Sequence, residues 1–441
     1  MAGSNGEPHV AKGDPSKELF VHMLTKDIDL HEAILDLIDN SVDGARKSAR
    51  SVDELKAYNV AVEFGPSEFS ITDNCGGISL KDAEEYVFRF GRPRDAKKGK
   101  GLIGQFGVGM KRALFKMGRH FKVESKTKES HFVVEVQTER WAEQDKWDFP
   151  FTVYEKGRQE GQPGTTVRVW ELYDAVAERF RQDSFANQMG RQVRAMHQHS
   201  LAAGLAVQVN GIEVTAEEPL LFSRADIRPA HIKESIQANG GVVEMDIYAG
   251  VGESDPKKAG WYVYCNGRLI LQADQTNRTG WGDIGGDVSI PKIHNQFARF
   301  RGYALLESDD GDKLPWNTSK TDVEMDSPVY LQVRQRMIEM TRPVIDFLND
   351  LDSEKEQVEQ PARVAVEDAS ASPVALGSLP LQPVFRFERG VAKPKPVPLT
   401  SIAYRRPLKD VEWAKFKLAA MTNREVGEKT FDYYVENERD E

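Results

Sequence analysis

The sequence predicts an α+β protein in which a two-layer α/β sandwich is followed by a second α+β region and a short tail. Three observations carry that prediction. An amphipathic helical pattern over residues 30–50 precedes short alternating apolar segments. Later segments, "RHFKVESKT", "HFVVEVQT" and "TTVRVWEL", follow one another with no helix between them, which marks an antiparallel sheet rather than a doubly wound one. A second strand-rich region then closes on the long helical pattern "PVYLQVRQRMIEMTRPVIDFLNDL". With 441 residues the chain is long enough for two cores.

In order along the chain, the helix over 30–50 carries Ile34, Leu37, Ile38, Val42 and Ala45 as one stripe. "YNVAVEF" and "FSITDN" read as strands and "LKDAEEYVFRF" as a helix. A glycine-rich loop over 99–109 leads into a helix in "VGMKRALFKMG", then into the three strands above. Helical pattern returns over 175–203. The second strand-rich region comprises "LAVQVNGIEVT", "VVEMDIYAG", "GWYVYCNGRLIL" and "RGYALLES". "ASASPVALGSLPLQP" and "KPKPVPLT" are rich in Pro, Ser and Ala and read as a semi-extended linker, and "VEWAKFKLAAMT" as a short helix. The expected domains are 1–185, 186–350, a linker over 351–405 and a helical segment over 406–441. No internal repeat is found.

Lys+Arg 59 against Asp+Glu 69 gives a net charge of −10, which argues against a protein that coats nucleic acid over its whole surface. Two cysteines, Cys75 and Cys265, are too few for a disulfide framework. No apolar run is long enough for a signal peptide or a membrane span. A soluble, cytoplasmic protein with no membrane partner is expected.

Three constellations could carry chemistry. In "ILDLIDNSVDGAR", Asp36, Asn40 and Asp43 share a row, with Asp39 on the same polar side. A solvated helix face and a cation site stand side by side on these residues, the latter because an Asn oxygen suits Mg2+ and a nearby carboxylate can activate water. In "FSITDNCGGIS" a strand ends at Asp73 before Gly76 and Gly77. This is good turn chemistry, and equally a carboxylate fixed to accept a hydrogen bond from a ligand amine. In "GKGLIGQFGVGMKRALFKMG" glycines precede a helix N-terminus, where free N–H groups and the helix dipole meet phosphate oxygens. The alternative is a flexible basic loop. The Gly-Lys-Ser/Thr ending of a Walker loop is absent.

Taken in order with "GTTVRV", these motifs resemble the GHKL ATPases, the Bergerat-fold group of gyrase B subunits, MutL, heat-shock chaperone ATPases, sensor-kinase catalytic domains and microrchidia proteins. "DLIDNSVDGA", "DNCGGI", "FRFGRP" and "IGQFGVGMK" look most like microrchidia-type and related bacterial stand-alone ATPases. The resemblance spans roughly 28 to 325 and implies a Bergerat-fold ATPase domain over 1–185, a transducer-like (S5-like) domain over 186–350, and slow hydrolysis of ATP to ADP and phosphate with Mg2+. It implies that Asn40 coordinates Mg2+, that Asp73 binds the adenine amine, that Gly77 leaves room for the base, and that Thr165 supports the water network there. Lys100, Gly101, Gly104, Gln105, Phe106, Gly107, Val108 and Gly109 would form the lid over the phosphates, with Asp43 beside them. Lys320 in "WNTSKTDVEMD" would reach the γ-phosphate. The family's usual base is a Glu four residues before the Asn. Asp36 holds that place here, with Glu32 one turn earlier as an assistant, and Cys75 replaces the first glycine of the Asp-x-Gly-x-Gly motif.

The resemblance further implies a homodimer that closes on ATP, residues 15–29 reaching across to the partner. One expected output is a nucleotide-gated clamp on DNA in genome defence or maintenance, alongside a partner effector protein. Nine Lys/Arg between Arg386 and Lys417, against Glu388, Asp410 and Glu412, interleave with Phe385, Phe387, Tyr404, Trp413 and Phe416 and could hold phosphates and stack bases. A solvated linker with a packing helix fits the same residues. The other expected output is a chaperone-like or regulatory module acting on a protein. A sensor-kinase role is disfavoured, because no phosphoacceptor histidine helix pair is apparent.

Overall fold

In the computed structural model the apolar stripe of the first segment forms α1, Leu30–Ser48. Asp29 caps it, its carboxylate accepting the His31 backbone N–H at 2.8 Å. The structure describes residues 16–26, 28–49, 52–91, 102–104, 107–238, 240–282, 290–357, 359–388, 402, 404–420 and 422–438.

Behind α1 stands an eight-stranded sheet: β1 (Asn59–Phe64), β2 (Glu68–Asp73), β3 (Gly118–Lys126), β4 (Ser130–Gln137), β5 (Phe151–Lys156), β6 (Gly164–Leu172), β7 (Ala206–Val209) and β8 (Ile212–Glu213). Their order is β5-β4-β3-β6-β2-β1-β7-β8. Phe69, Ile71, Phe121, Val123, Val167 and Val169 are buried, while Lys122, Glu124 and Arg168 alternate with them onto the opposite face. One face therefore carries the core, beneath α1 and α2 (Gly109–Met117), and the other meets water. This is the expected two-layer α+β sandwich.

Two assignments change. "LAVQVNGIEVT" joins the first sheet rather than the second, because β7 pairs in parallel with β1, Val60 opposite Val207. The chain returns to this edge through the helix Asp174–Phe180 and α3 (Asp183–Met196). β5, which no sequence signal announced, is an edge strand whose residues are all at least partly exposed.

The second sheet contains β9 (Ala230–Ala238), β10 (Gly241–Val251), β11 (Gly260–Cys265), β12 (Arg268–Asp274) and β13 (Phe300–Glu307), in the order β9-β10-β13-β11-β12. β11 and β13 run parallel and the other pairs antiparallel. α4 (Pro328–Ser353) covers it with Tyr330, Val333, Met337 and Val344, and the Trp261 indole N–H donates to the Thr341 hydroxyl at 3.1 Å inside this layer.

Composition misread part of the segment over 351–405. Pro361–Ser370 is a helix, Val374–Ala375 pairs with Leu220–Leu221, and Arg386–Phe387 pairs with Ile227–Arg228. The apolar residues interspersed among Pro and Ser decide it: Leu376, Leu379 and Phe385 are buried, and the Phe385 ring lies 5.3 Å from that of Phe347 on α4. Residues 389–401 lie outside the described residues.

Residues 16–26, part of the arm expected to reach a partner, pack on their own chain. Phe20 is buried against Phe90 and Phe115, and Lys17 Nζ donates to the Trp141 and Gln144 carbonyls at 2.5 and 2.7 Å. Contacts divide the chain into two compact units, Met1–Gly390 and Val391–Glu441. Within the second, helices Leu408–Leu418 and Asn423–Glu438 follow one another, and among the described residues of this unit only Ala420 and Val426 are buried. No described helix is long and apolar enough to cross a membrane.

Phe385→Ala is expected to destabilise the protein by about 3–5 kcal/mol, the range for emptying a buried aromatic site. Denaturant unfolding of wild type and variant measures it. A change within about 0.5 kcal/mol, typical of an exposed position, would return this stretch to the status of a linker.

Candidate functional site

The polar side of α1 is covered rather than solvated. Asp36, Asp39 and Asp43 are all buried, Asn40 is exposed and Glu32 half-buried. Each buried acid meets its own set of partners, with Lys320 shared by Asp36 and Asp39. Asp36 accepts from Arg112 Nη2 at 3.4 Å and lies 3.7 Å from Lys320 Nζ. Asp39 holds Arg268 Nη1 at 2.5 Å and Lys320 Nζ at 2.7 Å. Asp43 accepts the backbone N–H groups of Ile103 and Gly104 at 2.8 and 2.6 Å.

Burial opposes the charge on Asp39 and Asp43, and the outcome depends on the partners. For Asp39, Arg268 and Lys320 outweigh burial and hold the carboxyl below its usual range. For Asp43, burial prevails over the two N–H donors and raises it. Burial likewise raises Glu32, with neighbouring Asp29 and Asp36 adding to it.

α2 arrives close to Asp36 because Gly109 has no side chain: a Cβ there would lie 2.6 Å from Asp36 Oδ2. The first turn of α2, with its free N–H groups, thus opens beside the acids of α1. Gly104 sits over the same row, its missing Cβ 3.1 Å from both Asn40 Oδ1 and Asp43 Oδ2. Gly107 and Val108 lead into α2, Val108 standing just before its first residue. Lys100, Gly101, Gln105 and Phe106 lie outside the described residues.

The second focus is the end of β2. Asp73 Oδ2 accepts the Ser41 hydroxyl at 2.7 Å, and Oδ1 accepts the Cys75 and Thr165 backbone N–H groups at 2.9 and 3.2 Å. Burial raises its carboxyl despite these three donors. A carboxylate offers about four lone-pair sites, so one acceptor position is left. Thr165 Oγ1 shares a hydrogen bond of 2.8 Å with the buried Ser125 hydroxyl, which also accepts the Ile78 N–H at 2.7 Å. Gly77, at φ +72°, is required by the backbone: a Cβ would collide with the Lys126 carbonyl oxygen at the end of β3.

Residues 28–160 match the family model for histidine kinase-, DNA gyrase B- and HSP90-like ATPases. The chain carries a GHKL-type ATPase domain. No curated protein matches the chain. The matched segment contains Glu32, Asp36, Asn40, Asp43, Asp73 and the whole glycine loop, while Thr165 and Lys320 lie beyond it.

Domains of this family bind ATP, typically with Mg2+. The chemistry of one donor suits that ion: Asn40, exposed at the row of buried acids, offers one neutral oxygen. Mg2+ takes one or two protein oxygens and completes its shell with phosphate and water. Asn40 would hold it, and the ion would supply charge to neutralise phosphate oxygens.

Several residues of the site were not singled out from the sequence. Ser41 adjoins Asn40 and could have been read with it. Asp39 was noted only as one of the acids on the polar side of its helix, and Arg112, Ser125, His197 and Arg268 carried no signal of their own, since their partners lie far away in the chain.

Lys111 on α2 is buried, donating to the Val87 carbonyl at 2.7 Å, and burial pushes its amine down to about 7. The folded value lies below the ordinary 10.5, so between these limits the unfolded chain binds more protons and stability rises with pH. Lys111→Met should lose that rise: its stability relative to wild type is expected to be most favourable at pH 7 and to decline by pH 9.5. Urea unfolding at the two pH values measures it, and a difference independent of pH would show that the amine does not titrate in this range.

Proposed function

We propose that this protein is a Mg2+-dependent ATPase that works as a nucleotide-gated dimeric clamp, of the microrchidia-like kind, acting on DNA in genome defence or maintenance. The observation that carries the reading is Lys320: a lysine from the region after the second sheet lies against Asp36 and Asp39 on α1 of the ATPase domain. A residue so placed can report the contents of the nucleotide site to the second sheet.

Asp73 would accept the adenine amine at its remaining lone pair, with Thr165 and Ser125 fixing the surrounding hydrogen bonds. Asn40 would hold Mg2+. The glycines from 101 to 109 would close over the phosphates, aided by the N-terminus of α2. Asp36 would take the proton from the attacking water. Arg112 orients its carboxylate, and Glu32 stands one turn away.

DNA as client is supported by the exposed Tyr404, Trp413 and Phe416 among Arg405, Arg406, Lys409, Lys415 and Lys417. A protein client is the second reading, favoured by the acidic second helix of the same unit, with Glu425, Glu428, Asp432, Glu436 and Glu438 against Arg424 and Lys429. DNA binding that weakens steeply with salt supports the first; no binding at low salt, with a specific protein co-purifying, supports the second.

Asp36→Asn is expected to bind nucleotide as wild type does but to lose about 10²–10⁴-fold in turnover, the usual contribution of a general base. Phosphate release and calorimetry measure the two quantities. Normal turnover would move the base to Glu32. Asn40→Ala should abolish the Mg2+-dependent part of ATP binding while leaving the metal-free part, and calorimetry with and without the ion would reject the assignment if both are unchanged.

A further inference from the structure

The connection between the ATPase domain and the second sheet runs through a buried charge cluster that the proposed chemistry does not use directly. Asp39 is fully buried and serves two cations: Oδ1 faces Arg268 at 2.5 Å and Oδ2 faces Lys320 at 2.7 Å. His197 closes the third side, its Nε2 3.4 Å from Asp39 Oδ1, and neither of its ring nitrogens has a hydrogen-bond partner among the described residues. Asp36, at 3.7 Å, is the second carboxylate near the Lys320 ammonium.

The two cations differ in how firmly their backbones are held. Arg268 opens β12 directly after the turn at Asn266 and Gly267, and that turn is tied to its surroundings on three sides. The Asn266 carbonyl accepts Arg46 of α1 at 2.6 Å. Its side-chain amide donates to the Leu102 carbonyl at the end of the glycine loop and to Ser308 beyond β13, at 3.2 and 3.1 Å. Lys320 sits at φ +57° in a turn closed by its own N–H on the Asn317 carbonyl at 3.0 Å. Arg268 is thus built in, while Lys320 reaches Asp39 through its long side chain from a surface turn.

We propose that Asp39 and Arg268 are positioning residues for Lys320: Arg268, by occupying half of the Asp39 carboxylate, weakens the hold of Asp39 on the lysine and so leaves it available to the terminal phosphate. The inference rests on the reading of Lys320 as the residue that meets that phosphate. Two like charges sharing one carboxylate repel each other, and in a buried setting this repulsion is little screened. Without the guanidinium, Lys320 would be the one cation left on the Asp39 carboxylate among the described residues, with Asp36 beside it, and breaking a buried pair is costly. A ligand that draws on Lys320 would then bind less well, and a ligand that does not would be unaffected.

The test uses the full chain with Mg2+ and compares calorimetric Kd values for ADP and for a non-hydrolysable ATP analogue. The ratio of the two reads the engagement of Lys320 by the terminal phosphate. Arg268→Met is expected to reduce the preference for the ATP analogue at least about fivefold, the lower end of coupling between sites, with the ADP Kd unchanged. Arg268→Lys, which keeps the charge, should restore the preference. Should Arg268→Met not fold, Arg268→Gln keeps a donor to Asp39 and gives the same reading.

An unchanged ratio in the neutral variants, or an equal loss for both nucleotides, overturns the inference, because a merely structural residue would not distinguish them. Lys320→Ala separates this failure from a failure of the underlying reading. If the preference survives in Lys320→Ala, that lysine does not meet the terminal phosphate and both fall. If Lys320→Ala abolishes it while Arg268→Met leaves it intact, only the role of Arg268 and Asp39 falls.

Discussion

A carboxylate sealed inside a protein, as Asp39 is, forces the surrounding chain to supply its counter-charges. Moving such a group out of water costs several kcal/mol, and removing one partner of a buried pair leaves a charge that nothing solvates. The partners come from Arg268 and Lys320, 229 and 281 residues along the chain. Neither belongs to the segment that matches the ATPase family. Separating the second sheet from α1 would strand Asp39 without either cation, so the two layers are bound by an electrostatic requirement as well as by apolar contact. Both layers lie in one compact unit, Met1–Gly390.

The same logic explains the crowding of acids on α1. Helical spacing brings Asp36, Asp39 and Asp43 together, and each meets its own set of partners, with Lys320 shared by the first two: Arg112 and Lys320, Arg268 and Lys320, and two backbone N–H groups of the loop. Residues 102–104 of the loop are therefore held to Asp43 and to Asn266, and α2 begins beside Asp36. The row of acids thus touches the loop, the second sheet and the turn of Lys320 through direct contacts.

Local pattern made the sandwich legible. The stripe on α1 and the alternation in β1, β2, β3, β4 and β6 were each properties of contiguous residues, whereas the expected absence of a helix between the strands does not hold, since the helix Thr138–Glu143 and β5 stand between β4 and β6. What escaped was non-local. "LAVQVNGIEVT" has the alternation of a strand, but nothing in it says that β7 lies parallel to β1 across a helical crossover. Phe385 sits among Pro and Ser residues whose composition suggests solvation, and its burial depends on α4. In the site, Asp73 and the glycines stood out because their local spacing is unusual. Arg268 looked like one more strand residue, since only the fold places it against Asp39.

Geometry also bears on the shorter acid at position 36. Asp36 Oδ2 is already separated by only 2.6 Å from the place a Cβ on Gly109 would take, and its oxygens lie between Arg112 and Lys320. A glutamate would carry its carboxylate one methylene further from α1. With α2 where it stands, the longer side chain would have to turn away from both cations or push the helix outward. Aspartate instead reaches them from a short stem with fewer rotamers to immobilise. The departure from glutamate is thus matched to a close approach of α2, which only glycine at 109 allows, so the identities at positions 36 and 109 belong to one steric arrangement rather than to two separate features of the sequence.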